Sequence, residues 1–416
     1  MNGRDYEKVD ITIRSNTKDI FAFTKLVPNR IKRIEKASNE PLTEDPINDL
    51  AQKLHPIRQY LKIDQIIDNT KSTKTFRFVP DNERGTEQLA YFRAGQYLSL
   101  KVEINDEWIT RPYSISSSPN ESLKGFYDIT IKKEEDEGFL TPYIWDNNWK
   151  IGTKVISSGP EGFIYYEPLR DKKDILGLAG GSGITPFRSI AKSIAEGEID
   201  VKLTLLYGCS DEEDIIFYDE LKQIEKDNPD KIKVVIVLSC EEVTLKGCET
   251  GFLTAELMEK YADLSNSSIF ICGPQIMYEF VEKELERFNL PPKQIRREAF
   301  GEIKNISAFS GFPEDNIDKT FNITVHIGGM VKEIPAKSTE SVLVALERAK
   351  LAPPSKCRSG ECGFCRSLLL DGDVYISPIS DWRREADKKF NYIHTCSSYP
   401  LSDLELIIPR KQNRAF

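Results

Sequence analysis

From Tyr60 to about Pro168 apolar and polar residues alternate in short runs, "TKTFRFVP", "GQYLSLKVEI" and "FYDITIKK", broken by Gly, Pro and Asn. A period of two turns one face of each run to a core and the other to water. The stretch therefore predicts antiparallel strands, and so many in succession predict a small barrel. From about Asp171 the rhythm changes to continuous apolar runs, "DILGLAGG", "KLTLLYG", "KVVIVLS" and "SIFICGP", separated by stretches able to form helices. That is the pattern of a parallel sheet covered on both faces. Residues 301–318, "GEIKNISAFSGFPEDNID", are rich in Gly, Ser and polar residues and read as a linker. Beyond them come a strand, "TFNITVHI", a helix in "STESVLVALERAK" with Val342, Leu343, Leu346 and Ala349 at helical spacing, a cysteine loop, and a closing strand, "LELIIP". Residues 1–58 are polar and mixed, with one amphipathic candidate, "DPINDLAQKLHP". There Asp45 is the N-cap, Pro46 takes the first helical position, and Ile47, Leu50, Ala51 and Leu54 share a face. The expected division is an extension (1–58), a barrel (59–168), an α/β domain (169–300), a linker (301–318) and a C-terminal module (319–416).

A chain of 416 residues exceeds one ordinary core, and 39% hydrophobic with 30% charged residues suits a soluble globular protein. The N-terminus, MNGRDYEKVD, lacks the apolar centre of a signal peptide, and no run has the length of a membrane span. A cytoplasmic location is expected. The net charge of -9 argues against nucleic acid as a partner, but residues 319–416 carry 15 Lys and Arg against 11 Asp and Glu, marking them off as a separate module. This face could dock an acidic partner or simply scatter solvated charge. Eight cysteines without a secretion signal point to metal ligation, catalysis or core packing, not disulfides. The three histidines, His55, His326 and His394, are too dispersed for a helical His-x3-His metal site.

In "CRSGECGFC" (357–365), Cys357, Cys362 and Cys365 follow the spacing C-x4-C-x2-C among small and charged residues. Thiolates gathered so tightly hold a metal, and such metals want four ligands. Cys396, separated from Cys365 by 30 residues, is the candidate fourth. Structural zinc favours paired CxxC knuckles, and only one such pair exists here. Gly360 and Gly363 allow the loop to wrap closely, with backbone N–H groups aimed at sulfur. Residues 319–416 resemble the plant-type ferredoxins, which implies a β-grasp fold and a [2Fe-2S] cluster held by these four cysteines. Cys240 and Cys248 lack this spacing and read as core or surface thiols.

"LAGGSGITPF" (178–187) follows an apolar strand and opens a helix. Gly180, Gly181 and Gly183 allow a tight turn and the close approach of a pyrophosphate, which a helix N-terminus stabilises. Together with "RPYSISS" (111–117) it resembles the ferredoxin-NADP reductase superfamily, whose motifs are R-x-Y-S-x-x-S and G-G-x-G-I-T-P. The resemblance implies that Arg111 pairs with a flavin phosphate, that Pro112 and Tyr113 lie at the isoalloxazine, and that Ser114 bonds near its reactive nitrogen. It implies that "GFLT" (Gly138, Phe139, Leu140, Thr141) supplies donors to the phosphate, with threonine where serine is usual. Thr185 and Pro186 complete the nicotinamide loop. Cys272, Gly273 and Pro274 in "ICGP" lie beside the nicotinamide ring, with Cys272 a positioning group. "REAF" corresponds to the closing Glu-x-aromatic element, Glu298 and Phe300, with Phe300 over the flavin or in core packing. After the strand "LTLLYG", the acids of "CSDEED", Asp211 first, would repel a 2'-phosphate and favour NADH over NADPH.

The expected fold is thus multidomain: an antiparallel β-barrel flavin domain, an α/β nicotinamide domain with a parallel sheet, and an α+β β-grasp ferredoxin domain. The resemblance covers about residues 60–416 and is closest to the phthalate dioxygenase reductase-like family. It implies an NADH:acceptor oxidoreductase with FAD (alternatively FMN) and a [2Fe-2S] cluster. The protein acceptor would be an oxygenase, a desaturase or a hybrid cluster-type metalloprotein. An electron-transfer subunit of dihydroorotate dehydrogenase is a second reading, opposed by the separation of Cys365 and Cys396. A non-enzymatic redox sensor is a third, opposed by the intact nicotinamide loop.

Overall fold

The computed structural model describes residues 21, 23–40, 44–104, 107–133, 140–240, 243–298, 300–303, 305–309, 311–351 and 353–409. The chain forms two compact units, residues 1–50 and 51–416. In the first, a helix spans Leu26–Glu35 with no buried residue. A second helix, Pro46–Leu54, is capped as its sequence requires, since Asp45 Oδ1 accepts from the Asn48 N–H at 3.1 Å. Its apolar Ile47 and Leu50 are exposed.

The second unit opens with six antiparallel strands: β1 (Gln59–Thr70), β2 (Thr73–Pro80), β3 (Tyr97–Ile104), β4 (Glu107–Ser114), β5 (Tyr127–Lys132) and β6 (Lys154–Ser157). Their order is β4-β3-β6-β1-β2-β5. An antiparallel bridge between Ile115 and Ile129 joins the end of β4 to β5 and closes the sheet into a barrel. Inward residues of the alternating runs fill it, with Phe76 and Phe78 edge-on to Trp149 at 5.2 and 5.8 Å.

Six parallel strands follow: β7 (Asp174–Gly180), β8 (Lys202–Cys209), β9 (Ile232–Leu238), β10 (Glu249–Thr250), β11 (Ser267–Cys272) and β12 (Ile295–Arg297), in the order β10-β9-β8-β7-β11-β12. Both faces are buried, which explains the unbroken apolar runs. The order reverses between β7 and β11, so the carboxyl ends of those two strands frame a crevice. Buried ion pairs fix the barrel to this domain. Arg188 reaches Asp128 at 3.5 Å and donates to the Ser116 carbonyl at 3.0 Å, and Lys192 reaches Glu121 at 2.7 Å.

The last domain has β13 (Thr320–Ile327), β14 (Met330–Lys337), β15 (Arg366–Asp371), β16 (Val374–Tyr375), β17 (Tyr392–His394), β18 (Tyr399–Pro400) and β19 (Leu404–Ile408). Five form a mixed sheet, β14-β13-β19-β15-β17, with β13 and β19 parallel. The helix Val342–Arg348, capped by Ser341, lays Val342, Ala345 and Leu346 on it, which is the β-grasp arrangement. The polar stretch expected as a linker packs closely: Ile303, Ile306 and Phe312 are buried against Tyr375 and Tyr399. Polar composition hid three apolar anchors.

Candidate active site

One edge of the barrel and three loops converge. Pairing of β3 with β4 sets Tyr97 opposite Ser114 and Leu98 opposite Tyr113. Pro112 and Ser114 are buried, while Arg111 and Tyr113 are half-buried. Ser114 Oγ is buried without a hydrogen-bond partner among the described residues. An orphaned hydroxyl of this kind is costly unless something absent bonds to it, and the polar ring edge of a flavin fits. Arg111 donates to the Thr110 carbonyl at 2.9 Å and lies 3.6 Å from the Glu347 carboxylate. Leu140 and Thr141 are buried at the start of the short helix Leu140–Tyr143, whereas Gly138 and Phe139 lie outside the described residues.

Across the crevice, the glycines of the 180–183 loop divide their work differently from the expectation. A Cβ on Gly183 would stand 2.1 Å from the Cys272 carbonyl oxygen, and one on Gly180 would stand 2.9 Å from Pro274 Cδ. These two glycines let the loop touch the Cys272–Gly273–Pro274 turn. Only Gly181, with φ +51° and open space where a Cβ would be, remains for a ligand's close approach. Thr185 and Pro186 begin the helix Thr185–Ala195, which continues directly from the single 3-10 turn Gly181–Ile184. Burial pushes the Cys272 thiol well above its ordinary value, so it is neutral. Asp211 is exposed just past the end of β8. Its neighbours are occupied elsewhere: Glu212 accepts from Thr244 Oγ1 at 2.6 Å and the Leu245 N–H at 2.8 Å, and Glu213 pairs with Lys71.

Glu298 and Phe300 close the crevice. Phe300 is half-buried and meets Tyr97 edge-on, with ring centroids 5.2 Å apart. Glu298 is buried, and its Oε2 has no partner among the described residues. Burial first, then the charges of Glu361 and Cys357, push this carboxyl well above the ordinary range. Between its unfolded and folded values the native state holds a proton that the unfolded chain has lost, so stability falls as pH rises through that window. Glu298→Gln should remove the loss: its melting midpoint is expected to exceed the parent's at pH 8 by roughly 2–4 °C and to match it at pH 4. An equal shift at both pH values in a thermal scan would contradict a protonated Glu298.

The cysteine loop joins the same site, since Lys356, beside Cys357, pairs with Glu161, whose backbone is bridged to Tyr97. Cys357, Cys365 and Cys396 are buried and Cys362 is exposed. The thiols form two pairs. Cys365 and Cys396 have their sulfurs 3.3 Å apart, while the Cys362 thiol bonds to Cys357. Backbone N–H groups point at sulfur from Cys362 to Cys357 at 3.3 Å and from Gly360 to Cys396 at 3.2 Å. The bond from Cys362 leads in holding Cys357 at about 5, and the bond from Cys396 leads in lowering Cys365. Two thiol pairs with amides directed at them fit a two-iron cluster, each iron taking one pair. Gly360 has φ +83° and touches the loop's surroundings so closely that a Cβ would lie 2.5 Å from the Ser380 carbonyl.

Tyr97 links the two halves. Burial, then Cys357, Cys362, Glu161 and Glu298, push its hydroxyl well above the ordinary value, which requires all four to be near it. A cleft of about 110 Å³ opens beside Phe300, lined also by Gly273, Pro274, Glu302, Arg358 and Glu361 among others. Sequence reasoning passed over Tyr97, Glu161, Glu302, Glu347, Lys356 and Arg358. Only the position of Lys356 and Arg358 on either side of Cys357 could have singled any of them out.

Comparison with known proteins gives the same three parts. Residues 60–166 match the oxidoreductase FAD-binding domain, 178–283 the oxidoreductase NAD-binding domain, and 325–401 the 2Fe-2S iron-sulfur cluster binding domain. The chain is 29% identical over 373 residues to the ferredoxin reductase component of 3-ketosteroid-9-alpha-monooxygenase of Mycobacterium tuberculosis, covering 88% of this chain and 97% of that one. It is 27% identical over 360 residues to the glycine betaine monooxygenase reductase subunit of Chromohalobacter salexigens, covering 84% and 95%. Among solved structures it shares the fold of phthalate dioxygenase reductase, with a TM-score of 0.59, 24% identity, and 84% and 97% of the two chains covered. Among the described residues no helix is long and apolar enough to cross a membrane. The chain thus carries an oxidoreductase FAD-binding domain, an oxidoreductase NAD-binding domain and a C-terminal 2Fe-2S iron-sulfur cluster binding domain in this order, and it is similar over most of its length to reductase components of monooxygenases.

Proposed function

We propose that the protein takes electrons from NADH and passes them singly to a protein acceptor, an oxygenase component as for its relatives. The observation that supports this reading is the setting of Tyr97, which pairs with Ser114 across the strands, meets Phe300 edge-on, and has its backbone bridged to Glu161, the partner of Lys356 beside Cys357. When bound, a flavin accepts the two electrons of a hydride and releases them one at a time, and a [2Fe-2S] cluster carries one. The chain's own residues provide the arrangement. Arg111, a planar fork, pairs with the flavin phosphate, and Thr141 adds a hydroxyl. Tyr113 lies against the ring, and Ser114 offers its unmatched hydroxyl to a ring nitrogen. Neutral Cys272, with Gly273 and Pro274, positions the nicotinamide without attacking it, and Phe300 excludes water from the flavin face. Gly181 and the N-terminus of the helix beginning at Thr185 receive the pyrophosphate. Cys357, Cys362, Cys365 and Cys396 hold the cluster.

We take the flavin to be FAD, the cofactor for which the matched domain is named. Asp211, exposed at the end of the second strand, suits a ribose 2'-hydroxyl and repels a 2'-phosphate, which favours NADH over NADPH. Protein purified without air should contain both flavin and iron, should bleach on adding NADH, and should reduce a one-electron acceptor. Colourless, iron-free material would end the reading. The preference for NADH over NADPH, measured as the ratio of kcat/KM, should fall roughly tenfold in Asp211→Ala. An unchanged ratio would remove Asp211 from the nucleotide site.

A further inference from the structure

Arg358 is the most deeply buried large side chain of the cysteine loop, at 1% exposure, and it stands beside a cluster cysteine in a left-handed backbone conformation, φ +61°. A non-glycine residue keeps that conformation only where its surroundings hold it there. The holders are visible. Its Nη1 donates to Glu347 Oε1 at 2.5 Å and its Nη2 to Glu347 Oε2 at 2.9 Å, a two-pronged bond to the ferredoxin-domain helix. Nη2 also bonds to Glu302, in the segment leaving the nicotinamide domain, and Nη1 lies 3.5 Å from the Thr110 carbonyl on β4. Glu347 reaches on to Arg111 at 3.6 Å. Two cations and two carboxylates therefore balance within one network that joins the barrel, the ferredoxin domain and the segment leaving the nicotinamide domain. On the other side of Cys357, Lys356 pairs with Glu161, whose backbone is bridged to Tyr97. Burial is the largest single influence on the Glu302 carboxyl, but Arg358, Arg111 and hydrogen bonds together hold it below its usual range.

We propose that Lys356 and Arg358, one on each side of Cys357, clamp the cysteine loop onto the flavin barrel, with Arg358 the positioning residue that sets where the four thiols stand relative to Tyr97 and Ser114. A planar fork bridging two carboxylates and a carbonyl is something lysine cannot reproduce, so Arg358→Lys keeps the charge and loses most of the geometry. Loss of the guanidinium leaves Glu302 and Glu347 buried and unpaired, which loosens the seat of the loop. The clamp rests on the reading of the four cysteines as cluster ligands and of the barrel as the flavin site.

The test uses the full-length holoprotein and the variants Arg358→Met, Arg358→Lys and Glu302→Gln. Four quantities are measured: iron and flavin content, the electron paramagnetic resonance spectrum after dithionite reduction, tryptic release of the 319–416 module, and the rate of cluster reduction after mixing with NADH. Arg358→Met should keep its iron, release the module faster, and show cluster reduction slowed roughly 10- to 100-fold, as displacement by about an ångström does. Arg358→Lys should recover part of that rate. Parental rate and parental proteolysis in an iron-replete Arg358→Met protein would overturn the clamp. Should Arg358→Met lose its iron, Glu302→Gln decides, since Glu302 lies outside the loop: slowed reduction with a full cluster supports the clamp, and unchanged reduction overturns it. If the parent's own cluster is not reduced by NADH, the electron-transfer reading fails, and faster tryptic release alone then upholds or refutes the clamp.

Discussion

Replacing Cys362 with serine is expected to abolish electron delivery to a protein acceptor while leaving NADH-driven reduction of ferricyanide near the parental rate. Cys362 is the best of the four cysteines for this experiment because it alone is exposed. Its loss disturbs little packing, whereas Cys365 and Cys396 belong to a buried cluster with Leu343. The thiol matters only for what it binds. With three thiolates left, metal retention should fall by more than the roughly 10–100-fold that loss of an outer-shell partner costs, and the visible absorption of iron should fade with it. Ferricyanide can take electrons at the barrel and needs no cluster, so its reduction separates the two halves of the site. Reduction of cytochrome c or of an oxygenase component at the parental rate would refute the role given to the cysteine loop.

Much of this site was legible because its chemistry is local in sequence. Three of four thiols lie within nine residues, the nicotinamide loop is a single turn between strand and helix, and Arg111 to Ser114 are consecutive. What escaped the sequence is what folding brings in from far away. Tyr97 shares the outward face of its strand with Ser99, Lys101 and Glu103, while Leu98, Leu100, Val102 and Ile104 fill the barrel, so nothing local marks it; only the register with Ser114 and the contact with Phe300 give it a place in the site. Arg358 reads as a solvated charge, since its carboxylate partners lie 11 and 56 residues away and neither is marked by any motif. Gly180 and Gly183 read as phosphate glycines, yet their missing side chains make room for a turn some 90 residues later in the chain. The helix at Pro46–Leu54 shows the opposite limit: capping is a local bond and was readable, while the destination of its apolar face was not. Polar residues likewise disguised the 301–318 stretch, because Ile303, Ile306 and Phe312 are too irregularly spaced to form a period.

The second large effect is expected at Gly183. Gly183→Ala places a methyl group where the Cys272 carbonyl oxygen is 2.1 Å away and Gly273 Cα is 2.7 Å away. Neither neighbour is a flexible side chain, so the strain must be relieved by parting the two backbone loops. Overpacking of this kind costs about 1–3 kcal/mol, and it moves Cys272 and Pro274 away from the loop that bears Gly181. Because both loops must present the nicotinamide at one distance from the flavin face, kcat/KM for NADH should drop roughly 100-fold. Dithionite, which needs no nucleotide site, should still reduce the bound cofactors fully and so distinguish a displaced nicotinamide from an unfolded domain. Gly197→Ala supplies a control for loss of a glycine without a clash: unlike Gly183 it has a left-handed conformation, φ +78°, and there is nothing within 4 Å of the new methyl. It should lose about 1–2 kcal/mol of stability with no change in KM for NADH. Equal kinetics in the two variants would mean that the contact between the 180–183 loop and the Cys272 turn does not position the nucleotide.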